Sequence, residues 1–383
     1  MSEQQKQILI HGGLFLVTLI VTTLAGTEWM LAKYLLWVDE NALMGWSDFL
    51  RGFEFSIPFL LILTFHEFGH YFMAKYHKIG VSLPYYIPMW LGFILMPTFG
   101  TMGAFIRIKD PIYTLKHYFD IGIAGPLAGF VIAIVVIWMG FANLPEPEYI
   151  FQVHPEYEQY GLDYADYVYQ NDETTSFRFG DNLIFSFFKK HVADPSRLPN
   201  ENEMIHYPMI LAGYLALFFT ALNLLPIGQL DGGHILFGLL GPERHEKVSK
   251  ILFSAFIFYA GLGLVTVNDL VDLSLESLLQ FLLVVVAYLY FLQFAATSLF
   301  KSRQDRWVFA AAIFGAQFIL SHLLGWQGYS GWLLFALILG RFVGIKHPPV
   351  YDTTPLTNER KILGWIALLI FVLCFSPEPF VIG

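Results

Sequence analysis

Two histidines and a glutamate lie within five consecutive residues of a strongly apolar segment. The stretch reads His66-Glu67-Phe68-Gly69-His70. Residues four apart lie on one face of a helix, one turn apart, so His66 and His70 are spaced to bind one metal ion together. Glu67 follows the first of them directly and is placed to accept a proton from an attacking water. The sequence therefore predicts a metal-dependent hydrolytic site with Glu67 as general base.

A structural alternative for this cluster is a pair of hydrogen-bonded histidines in a helix bundle, with Glu67 protonated. Ionised groups in a membrane helix cost roughly 2–3 kcal/mol each, so the full pattern in an apolar segment favours a metal site. Catalytic zinc takes three protein ligands and keeps one position open. We expect Asp231 to be the third ligand, because it follows a polar, Pro- and Gly-interrupted stretch, 223–230, that ends another apolar segment. Its alternative role is a helix-end cap.

The composition is typical of a membrane protein. The 383 residues are 56% hydrophobic and 14% charged, whereas soluble domains carry about a quarter charged residues. Apolar blocks of about 20 residues predict an all-α polytopic membrane protein with about nine transmembrane helices. The expected spans are 8–29, 53–76, 118–142, 207–230, 248–267, 274–299, 307–324, 327–344 and 361–377. Residues 307–344 are alternatively one hairpin or a re-entrant pair. The net charge of −9 argues against a nucleic-acid partner.

The charge of the loops predicts an orientation. Residues 75–117 are mainly basic, whereas 145–206 holds twelve acidic and four basic residues. With a cytoplasmic N-terminus, the positive-inside rule puts the basic loops in the cytoplasm and the 145–206 block outside. His70 and Asp231 then both lie near the cytoplasmic ends of their spans, so the active site faces the cytoplasmic side. The acidic block is either a small folded cap or a partly disordered loop.

The segment 81–108 is a poor candidate for a continuous helix, because it contains Pro84, Pro88, Pro97 and several glycines. We interpret it as a membrane-dipping loop or β-hairpin that faces the active site. A protease holds its substrate extended, and a sheet edge there can add the substrate as a strand. The alternative is a lateral flap without substrate contact.

These motifs together resemble the site-2 protease family of intramembrane zinc metalloproteases. The resemblance is carried by HEFGH at 66–70 and NLLPIGQLDGGH at 223–234. The stretch GIAGPLAG at 122–129 is similar to the small-residue segment of the family's third core helix. Residues 81–110 are similar to a segment of plastid-type and related bacterial members that lack a PDZ domain. The resemblance covers about 53–142 and 207–240.

The resemblance implies one Zn²⁺ per chain, bound by His66, His70 and Asp231, with Glu67 as general base. It also implies a role for Asn223 near the scissile carbonyl; the alternative for Asn223 is a cap of the broken helix. The implied activity is cleavage of peptide bonds within or near transmembrane segments of membrane-protein substrates in the lipid bilayer, often in regulated intramembrane proteolysis. The implied architecture is a three-helix catalytic core without a PDZ domain. A bacterial cytoplasmic membrane is the expected location.

The motifs also suggest a division of the chain. The expected parts are an N-terminal helix and outer loop at 1–52, catalytic core helices with the dipping loop at 53–144, the acidic block at 145–206, the third core helix at 207–247 and C-terminal helices at 248–383.

Two rival functions use the same residues. One is a metal or ion transporter with the His/Glu/Asp cluster on its permeation path, and the other is an inactive membrane scaffold. Transporters often show internal symmetry and broken helices in both halves. Here the broken polar elements occur only in the first 240 residues, which favours the protease. The sequence specifies neither the substrate nor the oligomeric state.

Overall fold

The chain is mostly helical. A computed structural model describes residues 2–36, 38–169, 177–269 and 274–382. The α-helices are α1 (Glu3–Leu31), α2 (Trp46–Arg51), α3 (Phe53–Tyr76), α4 (Leu115–Ala142), α5 (Ala165–Val168), α6 (Leu183–His191), α7 (Pro208–Leu224), α8 (Asp231–Leu240), α9 (Pro242–Ala260), α10 (Leu275–Ala295), α11 (Arg303–Leu324), α12 (Trp332–Ile338) and α13 (Asn358–Cys374). The strands are β1 (Tyr85–Leu91), β2 (Met96–Phe105), β3 (Phe177–Phe179) and β4 (Phe380–Ile382).

Several helices are long and apolar enough to cross a membrane. Among the described residues these segments are Gln5–Leu31, Trp46–Tyr76, Leu115–Ala142, Leu275–Ser298 and Arg303–Leu324. They coincide with five of the nine predicted spans. The other four overlap α7, α9, α12 and α13, which are shorter or begin with charged residues, and these spans stay predictions. The chain is therefore a helical membrane protein, as its composition indicated.

The contacts divide the chain into two compact units. The first comprises Met1–Ile112, Ile123–Asn223 and Leu369–Gly383. The second comprises Tyr113–Gly122 and Leu224–Leu368. Each unit is built from segments that are distant in sequence, so the division does not follow the order of the predicted spans.

In the first unit, α1 packs against the antiparallel pair of β1 and β2. The register joins Tyr85 to Phe105 and Leu91 to Met96 across a short turn. Near the end of α1, the Trp29 indole donates a hydrogen bond to the Thr98 carbonyl over 2.9 Å. The strands lie in the segment 81–108, for which the sequence left a loop or a hairpin open. Proline and glycine disfavour a continuous α-helix there, and side chains from α1 hold the strands in place.

A second strand pair lies in the same unit of this mostly helical chain. Strands β3 and β4 pair antiparallel, with Phe177 opposite Ile382. The buried Tyr214 hydroxyl of α7 donates to the carbonyls of Gly180, over 2.9 Å, and Pro379, over 2.5 Å. The two strands are some two hundred residues apart in sequence, and each has only three residues, so no local pattern indicates their pairing.

The described part of the acidic block 145–206 is folded. It contains short 3-10 helices, Pro147–Gln152, Pro155–Asp163 and Glu201–His206, together with α5, α6 and β3. Ile150, Tyr157 and Tyr164 form its small buried core. Residues 170–176 of this block lie outside the described residues. Two stacked tyrosines therefore contribute to the buried apolar surface of this small core, together with Ile150.

In the second unit, a bidentate ion pair joins two helices. Arg360 of α13 donates to the Asp120 carboxylate of α4 through Nε, over 2.7 Å, and Nη2, over 3.0 Å. Asp120 is buried, and the arginine keeps part of its surface exposed. A planar guanidinium matches both carboxylate oxygens, so the pair fixes the distance and the orientation of the two helices.

We expect Arg360→Ala to lower the free energy of unfolding by about 3 kcal/mol, because it leaves a buried carboxylate without its guanidinium partner. Thermal or denaturant unfolding of detergent-purified protein measures the change. The matched control is Arg303→Ala, which removes an exposed arginine from α11 and should have little effect. Equal losses of unfolding free energy in the two variants would mean that the ion pair stabilises the protein no more than an exposed arginine does.

Candidate active site

The histidines and the glutamate of the first motif lie on α3 and are buried. His66, Glu67 and His70 are 7%, 5% and 7% exposed. The Nε2 atoms of His66 and His70 are 3.0 Å apart, and a Glu67 carboxylate oxygen lies 4.0 Å from His66 Nε2. Four-residue spacing on a regular helix brings the two rings together. The carboxylate follows at the edge of the same face.

The histidine pair fits a transition-metal ion. Two nitrogens bound tetrahedrally to zinc at 2.0–2.1 Å lie about 3.3 Å apart. The observed separation of 3.0 Å is close to this value. Buried imidazole nitrogens that face each other at this distance share a proton or a metal ion, because two lone pairs repel. The donor set, imidazole with carboxylate oxygen nearby, is one that zinc accepts.

Helix α4 presents glycines to this face of α3. A Cβ atom at Gly125 would lie 2.2 Å from His70 Nε2, and one at Gly129 would lie 3.0 Å from the His66 Cβ. In turn, a Cβ at Gly69 of α3 would lie 2.5 Å from the Ala124 carbonyl oxygen. The small-residue pattern is typical of close helix approach. In this protein the space that the glycines leave is occupied by the two imidazoles.

A cavity of about 130 Å³ opens beside the motif within the first unit. It is lined by α3, α4, α7 and the bulged part of β2, with these residues: Phe59, Ile62, Leu63, His66, Glu67, Thr101, Met102, Gly103, Ala104, Gly129, Ala216, Phe219, Thr220 and Asn223. The Asn223 amide nitrogen lies 3.5 Å from His66 Nε2, at the limit of a hydrogen bond. A hydrogen bond between the Thr64 and Tyr86 hydroxyls, 2.7 Å long, holds β1 to α3. Glu67, Asn223 and a strand therefore face one cavity.

Asp231 belongs to the second unit, where it is the first residue of α8 and is half-buried. Leu230, not Asp231, occupies the N-cap position of this helix. The next two residues are glycines for a steric reason. A Cβ at Gly232 would lie 2.0 Å from the Leu224 carbonyl oxygen, and one at Gly233 would lie 2.2 Å from the Gly228 carbonyl oxygen. The turn before α8 is thus tightly folded, and the role of Asp231 as third ligand stays a prediction.

The sequence model of one peptidase family matches this part of the chain. Peptidase family M50 matches residues 54–267, more than half of the chain, and this range contains both motifs. The chain belongs to peptidase family M50. The resemblance to site-2 proteases that the motifs indicated is thereby confirmed.

Curated relatives are similar over about half of the chain. One is the probable zinc metalloprotease EGY1, chloroplastic, of Oryza sativa subsp. japonica, 30% identical over 184 residues, which are 48% of this chain and 27% of the relative. EGY1 of Arabidopsis thaliana is 30% identical over 182 residues, 47% of this chain and 28% of the relative. The probable zinc metalloprotease EGY2, chloroplastic, of Oryza sativa subsp. indica is 26% identical over 190 residues, 50% and 30% of the two chains. The chain thus spans less than a third of the length of these relatives. No solved structure matches it significantly.

We expect Gly125→Ala to destabilise the protein by about 1–3 kcal/mol, the usual effect of overpacking, and to displace His70. The added methyl group would overlap the imidazole ring unless α4 moves away from α3. Thermal unfolding in detergent measures this effect. The control is Gly13→Ala in α1, where nothing lies within 4 Å of the added atom, so its stability should be unchanged or slightly higher. Equal stability of both variants would show that α4 does not need glycine at this contact.

Proposed function

We propose that the chain is an intramembrane zinc metallopeptidase that hydrolyses peptide bonds within or near transmembrane segments of other membrane proteins. The observation that carries this proposal is the buried His66–His70 pair on an apolar helix, with Glu67 beside it in a cavity. Membership of family M50 and the zinc metalloprotease names of the relatives support it. The same findings disfavour a transporter or an inactive scaffold, because neither of these needs a general base.

One zinc ion per chain would be held by His66, His70 and Asp231. A zinc ion with an open position polarises a carbonyl group and lowers the pKa of water toward neutrality. The case for Asp231 comes from its chemistry and context: a carboxylate at the start of a helix, after a tight turn that ends an apolar segment. Two histidines and one carboxylate are a common ligand set of hydrolytic zinc sites.

Glu67 moves the protons of the reaction. Its carboxylate lies 4.0 Å from His66 Nε2 and is almost completely buried, so it accepts a proton from the attacking water without competition from bulk solvent. It then donates this proton to the amine of the leaving group. Asn223 faces the same cavity, and its amide N–H groups are suited to hydrogen-bond the carbonyl oxygen as negative charge develops.

The substrate would bind as an extended strand along β2. Within the strands that the structure describes, the register between β1 and β2 is irregular opposite Met102 and Gly103, and both residues line the cavity next to Glu67. Gly103 has a positive φ of 106°, which turns the backbone away from regular pairing. The Gly103 N–H donates to the Thr101 hydroxyl over 3.0 Å, and the same hydroxyl donates to the Gly103 carbonyl over 3.1 Å. An added strand would therefore pair with β2 beside Gly103, at Met102. In an apolar environment, a hydrogen bond to a backbone N–H or C=O group that otherwise has none is worth several kcal/mol.

The proposed orientation has a cytoplasmic N-terminus, a cytoplasmic active site and an external 145–206 block. The charge of the loops is its main support. Pairing of β3 with β4 is a second support, because it puts the acidic block and the C-terminal segment on the same side of the membrane. Nine spans that start from a cytoplasmic N-terminus would likewise put the C-terminal segment outside, where the acidic block is proposed to lie. The bacterial cytoplasmic membrane stays a prediction; the curated relatives carry chloroplastic names. The catalytic core would comprise parts of 53–144 and 207–247.

We expect Glu67→Gln to keep its zinc and to lose about 10²–10⁴-fold in the rate of peptide cleavage, because the amide cannot accept the proton. His66→Ala and Asp231→Ala should each lose one zinc per chain together with cleavage. The measurements are cleavage of a reconstituted transmembrane substrate and metal analysis by mass spectrometry of the same preparations.

The control for these variants is Glu276→Gln, which neutralises an exposed carboxylate at the start of α10 and should cleave at the wild-type rate. Undiminished cleavage by Glu67→Gln would exclude it as the base. Unchanged zinc in Asp231→Ala would exclude this residue as the third ligand.

A second prediction concerns the strand edge. Met102→Pro removes one backbone N–H from β2 and should reduce cleavage at least tenfold, whereas Met102→Ala, which keeps that N–H, should cleave nearly as well as wild type. Met102 is 63% exposed, so neither change opens a hole in the core. Unfolding temperatures verify that both variants are folded. Equal rates in the two variants would argue that substrate does not pair with this part of β2.

A further inference from the structure

A second cluster of metal-ligating groups lies in the acidic block, outside the proposed active site. His154 Nε2 and His206 Nε2 are 3.3 Å apart. A Glu203 carboxylate oxygen, Oε2, lies 3.3 Å from His206 Nε2 and 3.8 Å from His154 Nε2. The three atoms form a nearly regular triangle.

The size of this triangle matches a metal ion. The point in its plane that is equally distant from all three atoms lies about 2.0 Å from each of them, given these separations. Zinc–nitrogen and zinc–carboxylate bonds are about 2.0–2.2 Å long. An ion slightly above the plane would keep a fourth position for water on the side of His154, whose side chain is 21% exposed.

The other ring nitrogens of both histidines are already engaged. His206 Nδ1 lies 3.0 Å from the Met30 carbonyl oxygen, which only accepts hydrogen bonds, so this nitrogen carries the hydrogen. His154 Nδ1 lies 3.0 Å from a Glu156 carboxylate oxygen and donates in the same way. In the neutral rings, both Nε2 atoms therefore direct lone pairs at each other and at Glu203. Three converging acceptors are stable when they share a cation, and this outer arrangement is typical of zinc-bound histidines.

The surrounding residues hold the cluster rigidly. Glu203 is 1% and His206 is 6% exposed. The second carboxylate oxygen of Glu203 accepts a hydrogen bond from the Tyr169 hydroxyl, and the Tyr157 ring stacks on His154 at 4.5 Å. Glu203 and His206 are three residues apart in a 3-10 helix, which has three residues per turn, so their side chains lie directly above each other.

We propose that His154, Glu203 and His206 bind a divalent transition-metal ion, zinc above all, as a structural site of the acidic block. The ion would link His154, just before one 3-10 helix, to Glu203 and His206 of another. The hydrogen bond from His206 to the Met30 carbonyl would extend this link to the last turn of α1. It would thereby close the loop between 154 and 203 and fix the block on α1. This site shares no residue with the proposed catalytic centre.

The test is zinc content of the full-length chain, purified in detergent, saturated with zinc chloride and desalted. His154→Asn should lose about one zinc per chain relative to wild type and keep peptide cleavage, since it leaves one of the three ligands missing. On addition of zinc, its unfolding temperature should rise less than that of wild type, because only the catalytic site still binds the ion. His154→Asp, which offers an oxygen ligand instead, should recover the zinc. The control is His191→Asn, an exposed histidine of the same block, which should match wild type.

Glu203→Gln should lose the same zinc ion. If this buried variant does not fold, the zinc content of His154→Asn, changed at a partly exposed position, still tests the proposal. Failure of the catalytic proposal would be distinct: His66→Ala would then leave the zinc content unchanged, while His154→Asn would still lower it. Equal zinc content in wild type, His154→Asn and Glu203→Gln would overturn this proposal. Hydrogen bonds from the histidine N–H groups, and not a metal ion, would then hold the three side chains together.

Discussion

Polar groups that face each other away from water need a partner between them, and this constraint organises the first unit. His66 and His70 are only 3.0 Å apart on a mostly apolar helix. Their rings fit because α4 contributes glycine at 125 and 129. Larger residues there would separate the helices and expose the imidazoles. The glycines, the histidines and the cavity beside them therefore belong to one close contact between α3 and α4, which brings the two imidazoles together.

Local features of this arrangement were predictable from the sequence. Four-residue spacing places His66 and His70 on one helix face, whatever the rest of the fold, and prolines disfavour a continuous α-helix between Pro84 and Pro97. Features that depend on distant contacts were not predictable. The β3–β4 pair joins segments about two hundred residues apart, and three residues carry too little pattern to identify a strand. Hydropathy likewise does not predict the lengths of α7 and α12, because turns interrupt the apolar segments that contain these helices.

The cluster in the acidic block was missed for a related reason. Its ligands come from the start of one 3-10 helix and from another almost fifty residues later, and 3-10 helices have no reliable sequence signature. Glu203 and His206 show the expected three-residue spacing only once the 3-10 geometry is known. The HExxH motif is recognised easily because an α-helix is predictable from apolar sequence alone. The two proposed sites thus both combine histidine with carboxylate, and only the α-helical spacing of the first can be recognised in the sequence.

Helix α1 connects the strand pair to the acidic block. The His11 ring contacts the Pro84 carbonyl, just before β1, at 2.9 Å, and the Met30 carbonyl contacts His206. Met30 lies nineteen positions after His11 in α1, a rise of about 28 Å, which is close to the thickness of the hydrocarbon layer. If α1 crosses the membrane, β1 and β2 run along it within the layer, since Trp29 near its other end binds Thr98. An open strand edge at that depth is unfavourable in lipid but suits an extended peptide in a cavity, which is the arrangement that a protease for membrane segments requires.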